Sequence, residues 1–209
     1  GSFGRDLPGR PRFSALLERL LEIPGDWRLR LSSIEASELH RDDVAVLPAL
    51  VKGAAGGARL CPHLHLPLQS GSPSVLRRMR RPYTREQFDR KLDEVRSLIP
   101  DAAITTDIIV GFPGETRGEF DATLDAARRA AFSRIHVFPY SRRNGTAAAA
   151  MGGAVPGREI RARARELTGL GRELAGAFHR RFEGREVEVL VENLPDRRTG
   201  RACGYSEHY

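Results

Sequence analysis

Two spacings of apolar residues alternate along this chain. Phe13, Leu16, Leu17, Leu20 and Leu21 recur at helical spacing, and Pro24-Gly25 ends that run. "RLRLSS" (28–33) then alternates and predicts a strand. A helix over 42–52 follows, with Val44, Leu47, Leu50 and Val51 inward, and "AAGGA" (54–58) predicts a loop. "HLHLPL" (63–68) predicts the next strand. A short helix at 75–79 and a longer one at 85–99 come after it; the longer buries Phe88, Leu92, Val95 and Ile99 behind a capping box of Thr84 and Gln87. "AITTDIIV" (103–110) predicts a strand, 117–130 a helix capped by Thr116 and Glu119, and "RIHVF" (134–138) another strand. An arginine-rich helix over 156–183 and an alternating strand "EVEVLVE" (186–192) complete the pattern.

Strand and helix alternate four times from Arg28. This predicts an α/β fold: a parallel sheet with right-handed crossovers, open or curled into a partial barrel. The first helix has no strand before it, and "NLPDRRTGRACGYSEHY" reads as a turn and the start of a second strand. A pair of strands alone is marginal, so the pattern reads as a piece of a longer protein with an incomplete β appendage.

Composition narrows the partners. The 209 residues hold 34 basic and 27 acidic side chains, a net charge of +7, and only Lys52 and Lys91 are lysines. Arginine excess suits phosphate contacts; a GC-rich coding sequence produces it as well. Two cysteines, Cys61 and Cys203, make neither a disulfide framework nor a CxxC motif. No apolar run approaches the roughly 18 residues of a membrane helix and no signal peptide is visible, which leaves a cytoplasmic protein with no membrane partner as the expectation.

Active sites of parallel α/β folds gather at the carboxyl ends of the strands. Here those ends read "SSIE", "QSGS", "GFPGET" and "PYSRRNGT", all polar. Glu35 is a helix-start carboxylate or a ligand contact. Gln69 and Ser70 are a capped turn, or an amide and hydroxyl suited to a ribose or amino-acid ligand. Asp107, inside an apolar strand, is costly to bury unpaired and so meets an arginine or faces a site. Gly111 and Gly114 permit a tight turn and close backbone approach. Glu115 reads as a complement to the helix dipole, and Arg142 or Arg143 could hold a carboxylate or phosphate. Cys61, His63 and His65 alternate like metal ligands on one strand face, yet no fourth ligand or supporting partner is specified locally. They read as the packed body of the strand, and no metal site is assigned.

"RLRLSSIE", "CPHLHLPLQSGSPSVLRRMRRPYT", "ITTDIIVGFPGET" and "HVFPYSRRNGTAAAAM" resemble, in order and spacing, the radical S-adenosylmethionine tRNA methylthiotransferases, over essentially the whole chain. "SSIE" and "CPHLHLPLQSGS" are most similar to the branch acting on N6-threonylcarbamoyladenosine rather than on isopentenyladenosine. The resemblance implies a radical-SAM partial barrel (1–155), a linking helix (156–184) and an incomplete TRAM-like β domain (185–209). It also implies addition of a 2-methylthio group to the modified adenosine beside the anticodon. S-adenosylmethionine contacts are implied at Glu35, Gln69, Ser70, Asp107, Gly111 and Arg142, and tRNA, through its anticodon stem-loop, is the implied partner of a monomer. Two 4Fe–4S clusters belong to the family's full-length enzymes. Their cysteines, including the CxxxCxxC triad, are missing from this chain, and two cysteines cannot supply three thiolates. The chain alone is therefore expected to be inactive, with electron donor and sulfur source left open. Ala36 also departs from the family's usual proline. The competing readings are a non-catalytic RNA-binding module on a degenerate barrel and a phosphate-binding barrel enzyme built on "GFPGET". The arginines of 77–91 and 158–185 are a solvated face or a phosphate-contacting surface whose affinity falls with salt.

Overall fold

The computed structural model describes residues 3, 4, 6–53 and 57–209; the expected loop at 54–58 lies partly outside them. The first five strands pair in parallel and in chain order within two sheets, as consecutive βα units do. β1 (Arg28–Leu29) pairs with β2 (Arg59–Leu60), β3 (His63–His65) with β4 (Ala103–Val110), and β4 with β5 (Arg134–Pro139). A parallel bridge between Ser33 and His65 joins the first pair to the three-stranded sheet. The helices are α1 (Phe13–Leu21), α2 (Arg41–Lys52), α3 (Pro73–Arg78), α4 (Arg85–Leu98), α5 (Arg117–Ala130) and α6 (Gly157–Arg180).

Alternation along the strands sorts the two faces of this sheet. Leu64, Ile104, Ile108 and Val110 are buried in the core with Leu47 of α2, Phe88 and Leu92 of α4, Phe120 and Leu124 of α5, and Leu167 of α6. His65, Asp107, His136 and Phe138 lie on the opposite face and line an open cavity of about 410 Å³. Both predicted capping boxes form, at Thr84/Gln87 and Thr116/Glu119.

The expected strand over 63–68 is regular only to His65, because Pro67 has no N–H to place in the ladder. The Thr106 hydroxyl mends the gap: Leu68 N–H donates to it at 2.9 Å, and it donates to Leu66 C=O at 2.8 Å. Backbone pairing resumes at Gln69, whose N–H donates to Asp107 C=O at 2.8 Å. Thr106→Val, of similar shape, leaves one buried donor and one acceptor unmet. It is expected to cost about 1–3 kcal/mol, read as a lower urea midpoint with an unchanged slope; an unchanged midpoint would remove the hydroxyl from this role.

Glu119 ties α5 to α3. Both its oxygens accept from Arg78, at 3.0 Å each, and it also accepts from Ser74 and from Thr116 N–H. Arg78 above all, then the Ser74 and Thr116 hydrogen bonds, hold its pKa down at about 2, against an ordinary 4.5. A depressed carboxyl pKa contributes stability above the unfolded value and loses it as pH falls through the folded one. Stability should therefore fall between about pH 4.5 and 2, and Glu119→Gln should flatten that limb of a pH–denaturation series. A variant curve parallel to the wild type throughout that range would reject the assignment.

The expected strand over 186–192 shortens to β6 (Val189–Val191), antiparallel to β7 (Gly204–Ser206). Its alternation does not separate a buried from an exposed face: Val189, Leu190 and Val191 are all exposed. The ribbon has two strands, and Val189, Gly204 and Ser206 line a cavity shared with Ile135 of β5 and Gly171 and Ala175 of α6. Arg28 and Arg59 pair with Glu188 and hold it beside β1 and β2. No helix among the described residues is long and apolar enough to cross a membrane.

Candidate functional site

The parallel register brings the ends of the first, second, third and fourth strand segments to one side. Glu35 follows the first. Arg81 donates to its Oε1 at 2.8 Å, while Oε2 is buried without a partner. Gln69 lies past β3, bridged to Ile108 of β4, buried at 8 % exposure and held at φ +63°, a left-handed conformation that costs a non-glycine residue energy. Both its backbone groups are committed to β4, to Asp107 C=O and Ile109 N–H. Its side-chain amide has no hydrogen-bond partner among the described residues. Glu35, with an orphaned carboxylate oxygen, and Gln69, with an unpartnered amide, each follow a parallel strand at the rim of the sheet and carry unmet hydrogen-bonding capacity.

The other four expected contacts are placed differently. Ser70 is fully buried; its hydroxyl bonds Thr123 of α5 at 3.2 Å and accepts from Ser72 N–H. It docks a helix, and Ser72, not Ser70, caps α3. Gly111 makes the expected turn at φ +78°, but its close neighbour is Ile160 of α6. A Cβ there would lie 2.5 Å from Ile160 Cγ1, and its N–H donates to Glu115 at 2.7 Å. Arg142 is exposed in the loop after β5, with no ion-pair partner among the described residues. Asp107 turns onto the open sheet face, where its partner is an imidazole, His65 Nε2 at 3.3 Å, rather than an arginine.

Glu115 is a clamp rather than a dipole complement. It is 3 % exposed, and its Oε2 accepts from Arg163 of α6 at 2.7 Å as well as from Gly111 N–H. Burial pushes its pKa up, against the pull of those two donors.

The open face holds a cluster that sequence reasoning missed. Asp107 is paired in register with His136, and His65 stands beside both, with its ring centroid 5.8 Å from that of His136. Burial, then the charge of Arg134, lowers the His136 pKa despite Asp107. The signal was present in "RIHVF", where alternation sets 134, 136 and 138 on one face; the one-residue register against β4 was needed to use it. Cys61 and His63 do not join the cluster. Cys61 is buried and its thiol pKa raised by that burial, while burial drives the His63 pKa down to about 3.

The basic segments divide. Arg78, Arg81 and Arg85 pair with Glu119, Glu35 and Asp89, and Arg163, Arg181 and Arg185 with Glu115 and Asp101. Arg158, Arg161, Arg165 and Arg172 are exposed at helical spacing along α6 and have no ion-pair partner among the described residues.

The Radical SAM superfamily model matches residues 3–127, which hold the first four strands of this parallel βα sheet. The chain belongs to the Radical SAM superfamily. Within it, the chain is 40 % identical over all 209 residues to a protein of Thermotoga maritima, threonylcarbamoyladenosine tRNA methylthiotransferase MtaB, covering 46 % of that protein. It is 44 % identical over 206 residues to the tRNA-2-methylthio-N(6)-dimethylallyladenosine synthase of a Parafrankia species, covering 97 % of this chain and 40 % of that one. The chain thus spans less than half the length of these relatives. The coproporphyrinogen III oxidase HemN of Escherichia coli shares the fold, with a TM-score of 0.60 at 19 % identity over 77 % of this chain and 37 % of that one.

Proposed function

We propose that this chain is the later part of the barrel of a tRNA methylthiotransferase, which adds a 2-methylthio group to threonylcarbamoyladenosine beside the anticodon. The observation that carries this reading is 40 % identity to a methylthiotransferase along the whole chain. The polar rim supports it. Glu35 Oε2 is a buried acceptor without a partner that a shift of its side chain would turn to a ribose hydroxyl, and the Gln69 amide offers both donor and acceptor. These two residues would hold S-adenosylmethionine, which supplies methyl transfer and radical initiation when bound. Gly111 and Ser70 would serve by holding the rim in place through α6 and α5, and Arg142, on the rim itself, would meet an anionic group.

With two cysteines in 209 residues, a cluster held by three thiolates takes ligands from beyond this sequence. The chain alone is accordingly read as inactive and the second, auxiliary cluster as part of the same longer protein. In that protein residues 1–155 are barrel, 156–184 a connecting helix and 185–209 the start of a TRAM-like domain. The Arg158, Arg161, Arg165 and Arg172 stripe would contact phosphates of the tRNA anticodon stem-loop. The enzyme is read as a cytoplasmic monomer. The choice of threonylcarbamoyladenosine rests on "SSIE", since the identities to the two kinds of relative are close.

The test is to express the longer protein in a strain whose tRNA carries threonylcarbamoyladenosine without its methylthio form, and to analyse the nucleosides by mass spectrometry. The methylthio nucleoside should appear. Methylthiolation of dimethylallyladenosine instead would overturn the substrate assignment. Unmodified tRNA from a soluble, cluster-loaded protein would overturn the activity and leave an RNA-binding role.

A further inference from the structure

We propose that His65, Asp107 and His136 form a binding site for a divalent transition metal on the open face of the sheet. Three adjacent strands each contribute one donor, an imidazole nitrogen, a carboxylate oxygen and a second imidazole nitrogen, and these atoms lie within 4.8 Å of one another. Metal bonds of about 2.1 Å space tetrahedral donors about 3.4 Å apart, so small rotations of these half-buried side chains close the set. Two imidazoles with one carboxylate suit zinc, cobalt or ferrous iron better than magnesium or calcium. Three protein ligands leave further positions open to the cavity above them.

A supporting group is in place. Metal-bound histidines as a rule donate their second ring N–H to an acceptor that fixes the ring. His65 Nδ1 lies 2.9 Å from Thr105 Oγ1, and His63 Nε2 lies 3.0 Å from the same oxygen. Thr105 has one hydroxyl hydrogen for the two rings. When His65 Nδ1–H donates to Thr105, the hydroxyl donates to His63, and both contacts are satisfied. The lone pair of His65 Nε2 then faces the Asp107 carboxylate at 3.3 Å, an arrangement that a cation between them completes.

The arginines on this side are engaged elsewhere. Arg30 and Arg134 lie over the Tyr209 ring, 5.3 and 5.4 Å from its centroid, and Arg30 also donates to the carbonyls of Ser206 and Glu207. His63 stacks on the same ring at 5.1 Å, which sets it apart from the donor trio. The site does not depend on the Glu35 and Gln69 rim and stands whether or not the proposed tRNA activity does.

The experiment is titration of the chelator-stripped 209-residue chain with Co(II) and then Zn(II), followed by visible absorption and calorimetry. One equivalent of Co(II) should bind, with ligand-field bands of a nitrogen–oxygen site and no thiolate charge-transfer band, and Zn(II) should displace it. His136→Ala and Asp107→Asn should each weaken binding at least about tenfold, and Thr105→Val by about 10–100-fold. Circular dichroism confirms that each variant is folded; Asp107→Asn, nearly isosteric and partly exposed, remains decisive should His136→Ala unfold. The proposal fails if no stoichiometric binding occurs, if binding survives both ligand substitutions, or if the cobalt spectrum shows a sulfur band that Cys61→Ser or Cys203→Ser abolishes.

Discussion

Arg163→Met is expected to destabilise the chain by about 3–5 kcal/mol, the usual consequence of removing one partner of a buried ion pair. Arg163 donates from a single nitrogen to both the backbone carbonyl and the Oε2 of Glu115, at 2.9 and 2.7 Å, and the two side chains are 6 % and 0 % exposed. Methionine fills the space but leaves the carboxylate with only the Gly111 N–H, its Oε1 being unpartnered already. The loss should also depend on pH. Burial already raises the Glu115 pKa, and Arg163 is one of the groups that lower it. A carboxyl whose folded pKa stands above its unfolded value stabilises the fold fully below the unfolded value and loses that contribution as pH rises through the folded one. The variant should therefore recover part of its deficit as pH is lowered from 7 towards the ordinary carboxyl value of 4.5. Adding Glu115→Gln removes the stranded charge and should restore much of the stability at neutral pH. Urea denaturation of the two single variants and the double gives the coupling directly. A loss under about 1 kcal/mol for Arg163→Met, in the range of exposed pairs, would show that the clamp is solvated.

Gly71→Ala is the second large effect. A Cβ at Gly71 would lie 2.5 Å from Ala126 Cβ, 2.6 Å from Ala122 C=O and 2.6 Å from Thr123 Cα. Two of these three are backbone atoms of α5, so no rotamer change relieves them. The helix must move, and it is held there by Gly71 N–H donating to Thr123 Oγ1 at 3.0 Å. Overpacking costs about 1–3 kcal/mol and more where backbone must shift; the upper end or beyond is expected here. Ala126→Gly in the same chain removes one contact and should rescue only in part. Full rescue, or a single variant as stable as wild type by thermal denaturation, would mean that α5 does not dock on this glycine.

Both sites bear on how "QSGS" and "GFPGET" are read. As sequence they are polar strand ends, and Gln69, Ser70 and Gly111 in them read as ligand contacts. In the fold the labour is divided. Gln69 keeps a free amide at the rim, while Ser70, Gly71 and Ser72 receive α5 and cap α3. Gly111 and Glu115 receive α6 through Ile160 and Arg163. A serine or glycine that accepts a helix and one that accepts a ligand have the same composition and nearly the same position. The difference is which neighbour fills the space, and that neighbour is 48 residues away for Glu115 and 52 for Gly71.

The sequence by itself determined the kinds and order of the elements, because those follow from interactions a few residues apart. Helical spacings of apolar side chains, two capping boxes and the turn residues Pro24-Gly25 and Gly111 are all local and were found where the pattern put them, whereas the strands expected over 28–33, 63–68 and 186–192 are each shorter and β2 (Arg59–Leu60) was not anticipated. Parallel alternation of strand and helix then implied the sheet and the side on which its ends gather. What only the tertiary structure decided is register. Pairing Asp107 with His136 rather than with a neighbour one residue along is what assembles the cluster on the open face. A slip of one residue would send these side chains to the opposite side of the sheet. The β6–β7 ribbon shows the same limit: its alternation predicted a strand over 186–192, of which Val189–Val191 pairs and all three side chains are exposed. Periodicity states which residues share a face. Only packing between distant segments states what that face meets.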